Sequence, residues 1–455
     1  LPGVAWLEKF TIAMEWLDGR IGLLRSILAD LDTGFVARDP SRLTFRDLCL
    51  DIIRKKVYQH GQSISLMTVG IREWAKEERA HGAQSTGGSK FEEDVDMEKT
   101  DHRALILRFI SVLHIVGYFQ SHFLDPYIAY TTEFYTAEAK RLGTSSSPAE
   151  YLAHVDRRLN EEHARAKGVM DEPSRKDVLN AAEHALLPTE ITISLAKPGF
   201  TAAWKERNIG NIARMYTLYR RVNELDRLRA AFRDELQVCV RSIVTDSPKD
   251  DEMVPRLLEE KMFLDKVLIE ALHERPFANT VQDIAKLEED PESDGERLFS
   301  YAARDAFEKG FLARKRKPAE MIAKFIDNAM RKGQRDEDEE TFWRELDSVL
   351  GLYRFTQDKD VFRTFYERGL AKRLLLQKSA SDALEERVIN RLRDGYDPEF
   401  GKGNDMFKDI ALSRDLLAEY RASRRSGDEK FSAMVLKFST WPFGKYEGTI
   451  GLPPE

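Results

Sequence analysis

Leu225, Leu228, Phe232, Leu236, Cys239 and Ile243 recur at spacings of three and four. That spacing stacks them on one face of a helix. Arg227, Arg229, Arg233, Asp234 and Glu235 fill the remaining sides, the pattern of a helix half in a core and half in water. Just upstream, Ile209, Ile212, Tyr216 and Tyr219 form a similar stripe. A further helix is predicted from Pro318, suited to a first turn, to Gly333, suited to a C-terminal cap. Its core side carries Met321, Ile322, Phe325 and Ala329. The strict alternation of a strand is almost absent before Phe431 to Phe438.

Breaks divide this helical pattern. Ala80 to Asp101 is rich in Gly, Ser, Gln and acidic residues and reads as a disordered insertion. Gly143 to Pro148 is a short Ser-rich linker, and Pro248 to Asp251 and Glu288 to Gly295 are acidic turns. Asp336 to Glu340 is a charge run that suits the solvated start of a helix. The breaks leave three helical groups of roughly 110 to 150 residues, an ordinary domain size.

Composition narrows the class. The 455 residues are 33% charged and 42% hydrophobic, which suits a folded chain rather than a disordered one. The 71 basic and 78 acidic side chains are finely mixed and give a net charge of −7. That balance calls for neither nucleic acid nor a membrane as direct partner. Cys49 and Cys239 stand far apart, so no disulfide framework organises the fold, which fits a reducing compartment. No apolar run approaches the roughly 20 residues of a membrane span. The opening Leu1-Pro2-Gly3 has neither an initiator Met nor a signal pattern, and the chain reads as a fragment.

Candidate chemistry is sparse. Gly401-Lys402-Gly403 and Gly87-Gly88-Ser89-Lys90 lack the strand and helix that a phosphate loop needs. His60, His81, His102, His114, His122, His154, His163, His184 and His273 form no metal-ligand spacing. No nucleophile elbow occurs, and neither cysteine has a histidine nearby in sequence. The basic sets Arg314, Lys315, Arg316, Lys317 and Arg368, Lys372, Arg373, Lys378 suit an acidic partner or a solvated helix face. No catalytic residue, cofactor or metal ligand is predicted. Two classes fit helical periodicity alone: a tethering scaffold, and an enzyme whose groups converge only in space.

The most specific stretch is Asp358 to Lys408, with Asp360-Val361-Phe362, Phe365-Tyr366, Leu370 to Leu374, Ser379-Ala380-Ser381, then Met406, Phe407 and Asp409. It resembles the cullin homology region. Lys317 to Lys324 and Arg214 to Val222 look like segments of the cullin-4 branch, and Tyr151 to Leu159 looks like the entry to a second cullin repeat. Val361, Phe362, Phe365, Tyr366, Leu370 and Leu374 follow helical spacing, so this signature is a packing surface rather than a reaction centre. Ser379 or Ser381 is placed to cap a helix starting near Asp382, with Glu385 placed for a capping box.

The resemblance implies an all-α, elongated arm of helical repeats, followed by part of a helical bundle and the first strand of an α/β region at Phe431 to Phe438. The implied divisions are an incomplete first repeat over 1–148, a second over 149–265, a third over 266–376, and a truncated C-terminal domain over 377–455. It also implies a non-catalytic scaffold of a cullin-RING ubiquitin ligase in the nucleus and cytoplasm. An adaptor would bind the N-terminal arm, of a β-propeller damaged-DNA-binding type if the cullin-4 likeness holds. A RING-box protein would bind the other end and bring a ubiquitin-conjugating enzyme indirectly. Phe123 to Gly143 resembles the last helix of the first repeat, which puts Thr131, Phe134, Tyr135 and Glu138 at adaptor-contact positions; the exposed members of this set would touch the adaptor, and internal packing of the aromatics is the alternative, equally open for Tyr135. Pro126 moves the expected start of that helix to about Asp125. The lysine that carries a ubiquitin-like modifier in this family falls in a winged-helix region that the resemblance does not reach.

Overall fold

The computed structural model describes residues 3–39, 42–82, 97–143, 145–274, 298–333, 339–379, 381–398, 400, 402–423 and 433–443. They pack as two compact units. The first holds Leu1–Leu195 with Leu218–Glu224, and the second Ala196–Thr217 with Leu225–Glu455. Helical repeats stack on their neighbours, so packing units need not follow repeat boundaries.

The first unit contains α1 (Val4–Ile27), α2 (Phe45–Ile53), α3 (Gly61–Gly82), α4 (Met97–Val116), α5 (Asp125–Leu142), α6 (Pro148–Lys167) and α7 (Glu172–Leu186). Thr44 caps α2 by accepting from the Asp47 amide at 3.2 Å. The Ser-rich linker ends in a capping box. The Ser147 hydroxyl accepts from the Glu150 amide at 3.3 Å, and the Glu150 carboxylate accepts from the Ser147 amide at 3.1 Å. Asp125 begins α5, directly after a π-helical turn at Gln120–Leu124, with Pro126 in the first turn where its missing N–H costs nothing. The core runs from Leu7 of α1 through Trp74 of α3, Phe109 and Leu113 of α4 and Phe123 to Val178 of α7. Of the predicted insertion, 83–96 lies outside the described residues, and helix occupies its margins, with α3 reaching Gly82 and α4 starting at Met97.

Helices α8 (Thr189–Lys205) and α9 (Ile209–Arg221) contribute residues to both units. The second unit continues with α10 (Leu225–Thr245), α11 (Met253–Glu270), α12 (Leu298–Phe311), α13 (Lys317–Lys332), α14 (Glu339–Tyr353), α15 (Lys359–Leu375), α16 (Asp382–Gly395) and α17 (Lys402–Ser423). The predicted stripe of α10 faces inward at Leu228, Phe232, Leu236 and Ile243. It lies so close to α12 that a Cβ on Gly310 would come within 2.5 Å of Val240. Glu235, placed by pattern among the solvent-facing residues, is buried instead and accepts from the Thr201 hydroxyl at 2.6 Å. Helix α13 ends where expected, with Gly333 at φ 65°, the left-handed conformation that glycine adopts without strain. The acidic turn at 288–295 lies outside the described residues, as does 336–338 of the charge run.

Two expectations are corrected. No strand occurs among the described residues, so the strand expected at Phe431 to Phe438 does not form over 433–438. The Val435 amide donates to Ser413 Oγ at 2.7 Å and the Lys437 amide to Asp409 at 3.1 Å. A strand needs a ladder partner, and side chains of α17 take these amides instead. The second correction concerns Glu385. Ser381 is the N-cap of α16 but its side chain makes no capping bond. The Glu385 carboxylate is drawn away by the Arg373 guanidinium, which donates to it at 2.6 and 2.8 Å, and by the Ser379 hydroxyl at 2.7 Å. Fork-on-carboxylate pairing outweighs a single neutral cap.

Candidate functional site

Helix α5 presents two faces of different chemistry. Tyr127, Thr131, Tyr135, Glu138 and Ala139 point inward, while Ala129, Thr132, Glu133, Ala137, Lys140 and Arg141 are exposed. The inward face carries hydroxyls and a carboxylate rather than a plain apolar stripe, and these polar groups need buried partners.

Those partners come from α3 and α6. Arg79 of α3 is 1% exposed and Glu162 of α6 is 0% exposed. The Arg79 guanidinium donates to Glu162 at 2.9 and 3.2 Å and to the Thr131 hydroxyl at 2.6 Å. The Tyr127 and Tyr135 hydroxyls also donate to Glu162, at 2.8 and 2.7 Å, and Arg165 donates to it at 2.7 Å. Burial by itself would push the Glu162 carboxyl up. The charges of Arg79 and Arg165 and the donated hydrogen bonds overcome that and hold it at about 2, below its ordinary 4.5. Burial pushes the Tyr127 and Tyr135 hydroxyls far above their ordinary value, so both stay protonated and remain donors.

A second network lies one turn further along. Arg158 of α6 donates to Glu138 at 2.7 and 3.1 Å and to Glu161 at 3.0 Å, and His154 Nε2 stands 3.2 Å from Glu138. Burial again opposes ionisation of Glu138. The hydrogen bonds from His154 and Arg158 win and hold its carboxyl at about 2. The outward side of this region is an open groove of about 500 Å³, lined by Tyr130, Glu133, Phe134, Ala137 and Arg141 of α5 with Glu138 and Arg158.

The four positions expected to meet an adaptor therefore divide. Thr131, Tyr135 and Glu138 are buried and hold α5 against α3 and α6, while Phe134 lines the groove half-exposed and Glu138 borders it from its buried side. The partners of the buried three, Arg79, Arg158, Glu162 and Arg165, were not singled out by the sequence pattern. The i, i+3 spacing of Glu162 and Arg165 on α6 was readable. Arg79 and Glu162, 83 residues apart, left no local trace.

The family-signature helix α15 buries Phe362, Tyr366, Leu370 and Leu374 at four-residue steps, with Val361 and Phe365 half-buried beside them. Arg373, 0% exposed, reaches across to Glu385 of α16 and to Asp327 of α13. One guanidinium thus ties three helices together. In each of these networks the buried carboxylate is neutralised by a fixed cation. Among the described residues no group of His, Cys, Asp and Glu could hold a metal. His122 is buried between the Ser121 hydroxyl and the Tyr58 carbonyl, both at 2.8 Å, and is a packing residue. Cys49 and Cys239 are free, and burial raises the Cys239 thiol to about 12, far from a reactive thiolate at neutral pH. No helix among the described residues is long and apolar enough to cross a membrane.

Stacked helices held by buried ion pairs, with open surface grooves, define a helical scaffold. The pattern of the Cullin alpha solenoid domain matches residues 3–417, and the chain belongs to the cullin family. It is 28% identical to Cullin-4A of Homo sapiens over 97% of this chain and 54% of that relative. It is 28% identical to Cullin-4 of Dictyostelium discoideum over 74% of this chain and 39% of the relative. To Cullin-3A of Arabidopsis thaliana it is 29% identical over 71% of this chain and 42% of the relative. The chain spans about half the length of the curated relatives it matches.

Proposed function

We propose that this chain is the arm of a non-catalytic scaffold subunit of a cullin-RING ubiquitin ligase. Its α5 face holds a substrate-receptor adaptor, and the complete protein holds a RING-box protein at the other end. The carrying observation is the pair of buried ionic networks, Arg79–Glu162 and Glu138–Arg158, beneath an open groove on α5. A scaffold works by holding partners at a fixed separation, which raises the effective concentration of a substrate lysine near a conjugating enzyme. Fixed geometry is what such networks supply. Family membership supports the ligase role. The cullin-4 relatives support an adaptor of the β-propeller damaged-DNA-binding type, and the location in nucleus and cytoplasm rests on the family alone.

The test is affinity purification of the tagged chain, restored to its natural ends, with mass spectrometry of what co-purifies. The expected result is a RING-box protein together with a β-propeller adaptor. A RING-box protein with another adaptor would overturn the adaptor type and keep the ligase role. Tethering subunits with no RING-box protein would overturn the ligase role itself.

A further inference from the structure

Arg79 does more than neutralise Glu162. Its guanidinium carbon lies 5.2 to 5.3 Å from the ring centroids of Tyr127, Tyr130, Phe134 and Tyr135. Two of these rings are core, and the other two, Tyr130 and Phe134, line the open groove. The same cation therefore touches the buried side of the rings that a docking partner would meet. Arg79 has no freedom of its own, since Glu162 and Thr131 fix two of its nitrogens and the third, Nη1, is buried with no hydrogen-bond partner among the described residues. The ring faces are the favourable contact left to that nitrogen. Phe134 is further held edge-on against Tyr135, with centroids 5.2 Å apart, and Tyr135 itself donates to Glu162.

We propose that Arg79 is a positioning residue for adaptor docking: from inside the fold it sets the orientation of Phe134, and thereby the affinity of the α5 groove for its partner. This rests on the docking function proposed above and extends it to a residue that no partner can touch. The physical reason is preorganisation. A half-exposed aromatic side chain held in one rotamer loses little freedom on binding, whereas a loose one must be ordered at that moment. A lysine at 79 keeps the charge. It cannot present a flat fork to Glu162 and Thr131 while facing the rings.

The experiment is a double-mutant cycle on the full-length chain with the adaptor that co-purifies with it, read as the dissociation constant. Phe134→Ala and Arg79→Lys are each expected to weaken binding by about tenfold, the scale of an interface anchor. The double variant is expected to bind within about twofold of Phe134→Ala alone, because Arg79 acts through that ring. A merely structural role for Arg79 would give effects that multiply, and multiplying effects overturn the proposal. So does Arg79→Lys binding like the unaltered chain, or Phe134→Ala without effect. Should Arg79→Lys fail to fold, Thr131→Val takes its place in the same cycle, since it removes one hydrogen bond from Arg79 at nearly constant shape, and the same outcomes decide. If the unaltered full-length chain binds no adaptor, the docking function falls and this proposal with it. Multiplying effects on a chain that does bind overturn this proposal alone.

Discussion

The Glu162 carboxylate is shared by two guanidiniums and two phenols, all inside the first unit. Replacing one partner of such a group strands the others, which costs more than the pair itself contributes. Glu162→Gln is therefore expected to destabilise the chain by about 3 kcal/mol or more, because Arg79 remains buried without a counter-charge. Urea unfolding followed by circular dichroism measures it, and an unchanged midpoint would show that the network carries no stability. Most of this site was hidden from sequence reading. Tyr135 was readable as a residue of α5, but whether it faces a partner or the core depends on Arg79, which is distant in the chain.

At the scale of elements, the ends of helices and the ties between them matter most. The capping box satisfies two amides that would otherwise be orphaned at the start of α6. Ser147→Ala is expected to cost about 1 kcal/mol, seen as a lower urea midpoint with the α6 core unchanged. Arg373 ties α13, α15 and α16, and Arg373→Met would leave Glu385 buried without its cation. That variant is expected to lose about 3–5 kcal/mol, and hydrogen exchange should report early opening of α16. Apolar spacing of period 3.6 made α10, α13 and α15 legible from the sequence. The capping box expected at Glu385 was not realised, because a cap is a local preference and a buried guanidinium is a stronger claim on the same carboxylate.

Over the whole molecule, pH is the variable that reaches both α5 networks together. Glu162 and Glu138 have folded-state values of about 2 against an ordinary 4.5. Depressed carboxylates add stability that is fully present above about 4.5 and is lost as pH falls from there towards 2, since the unfolded chain then binds more protons. Acid unfolding is expected to begin inside that window. In Glu138→Gln the slope of stability against pH should be shallower by close to one proton. A slope identical to that of the unaltered chain would exclude Glu138 as an acid-sensitive group.

The sequence by itself determined the class: an all-α chain of amphipathic helices with no disulfide framework, and a signature at Asp360 to Asp409 that led to the family. Those features are local, because helical period, caps and the order of apolar residues are written within a few turns of chain. Tertiary structure alone decided the rest. It turned Thr131, Tyr135 and Glu138 inward, paired Arg79 with Glu162 across 83 residues, and gave the amides of Val435 and Lys437 to side chains of α17 in place of a strand partner. The inward turn of α5 and the Arg79–Glu162 pair depend on which buried polar group meets which partner. That choice is made when distant segments pack, where an unpaired group is too costly to leave.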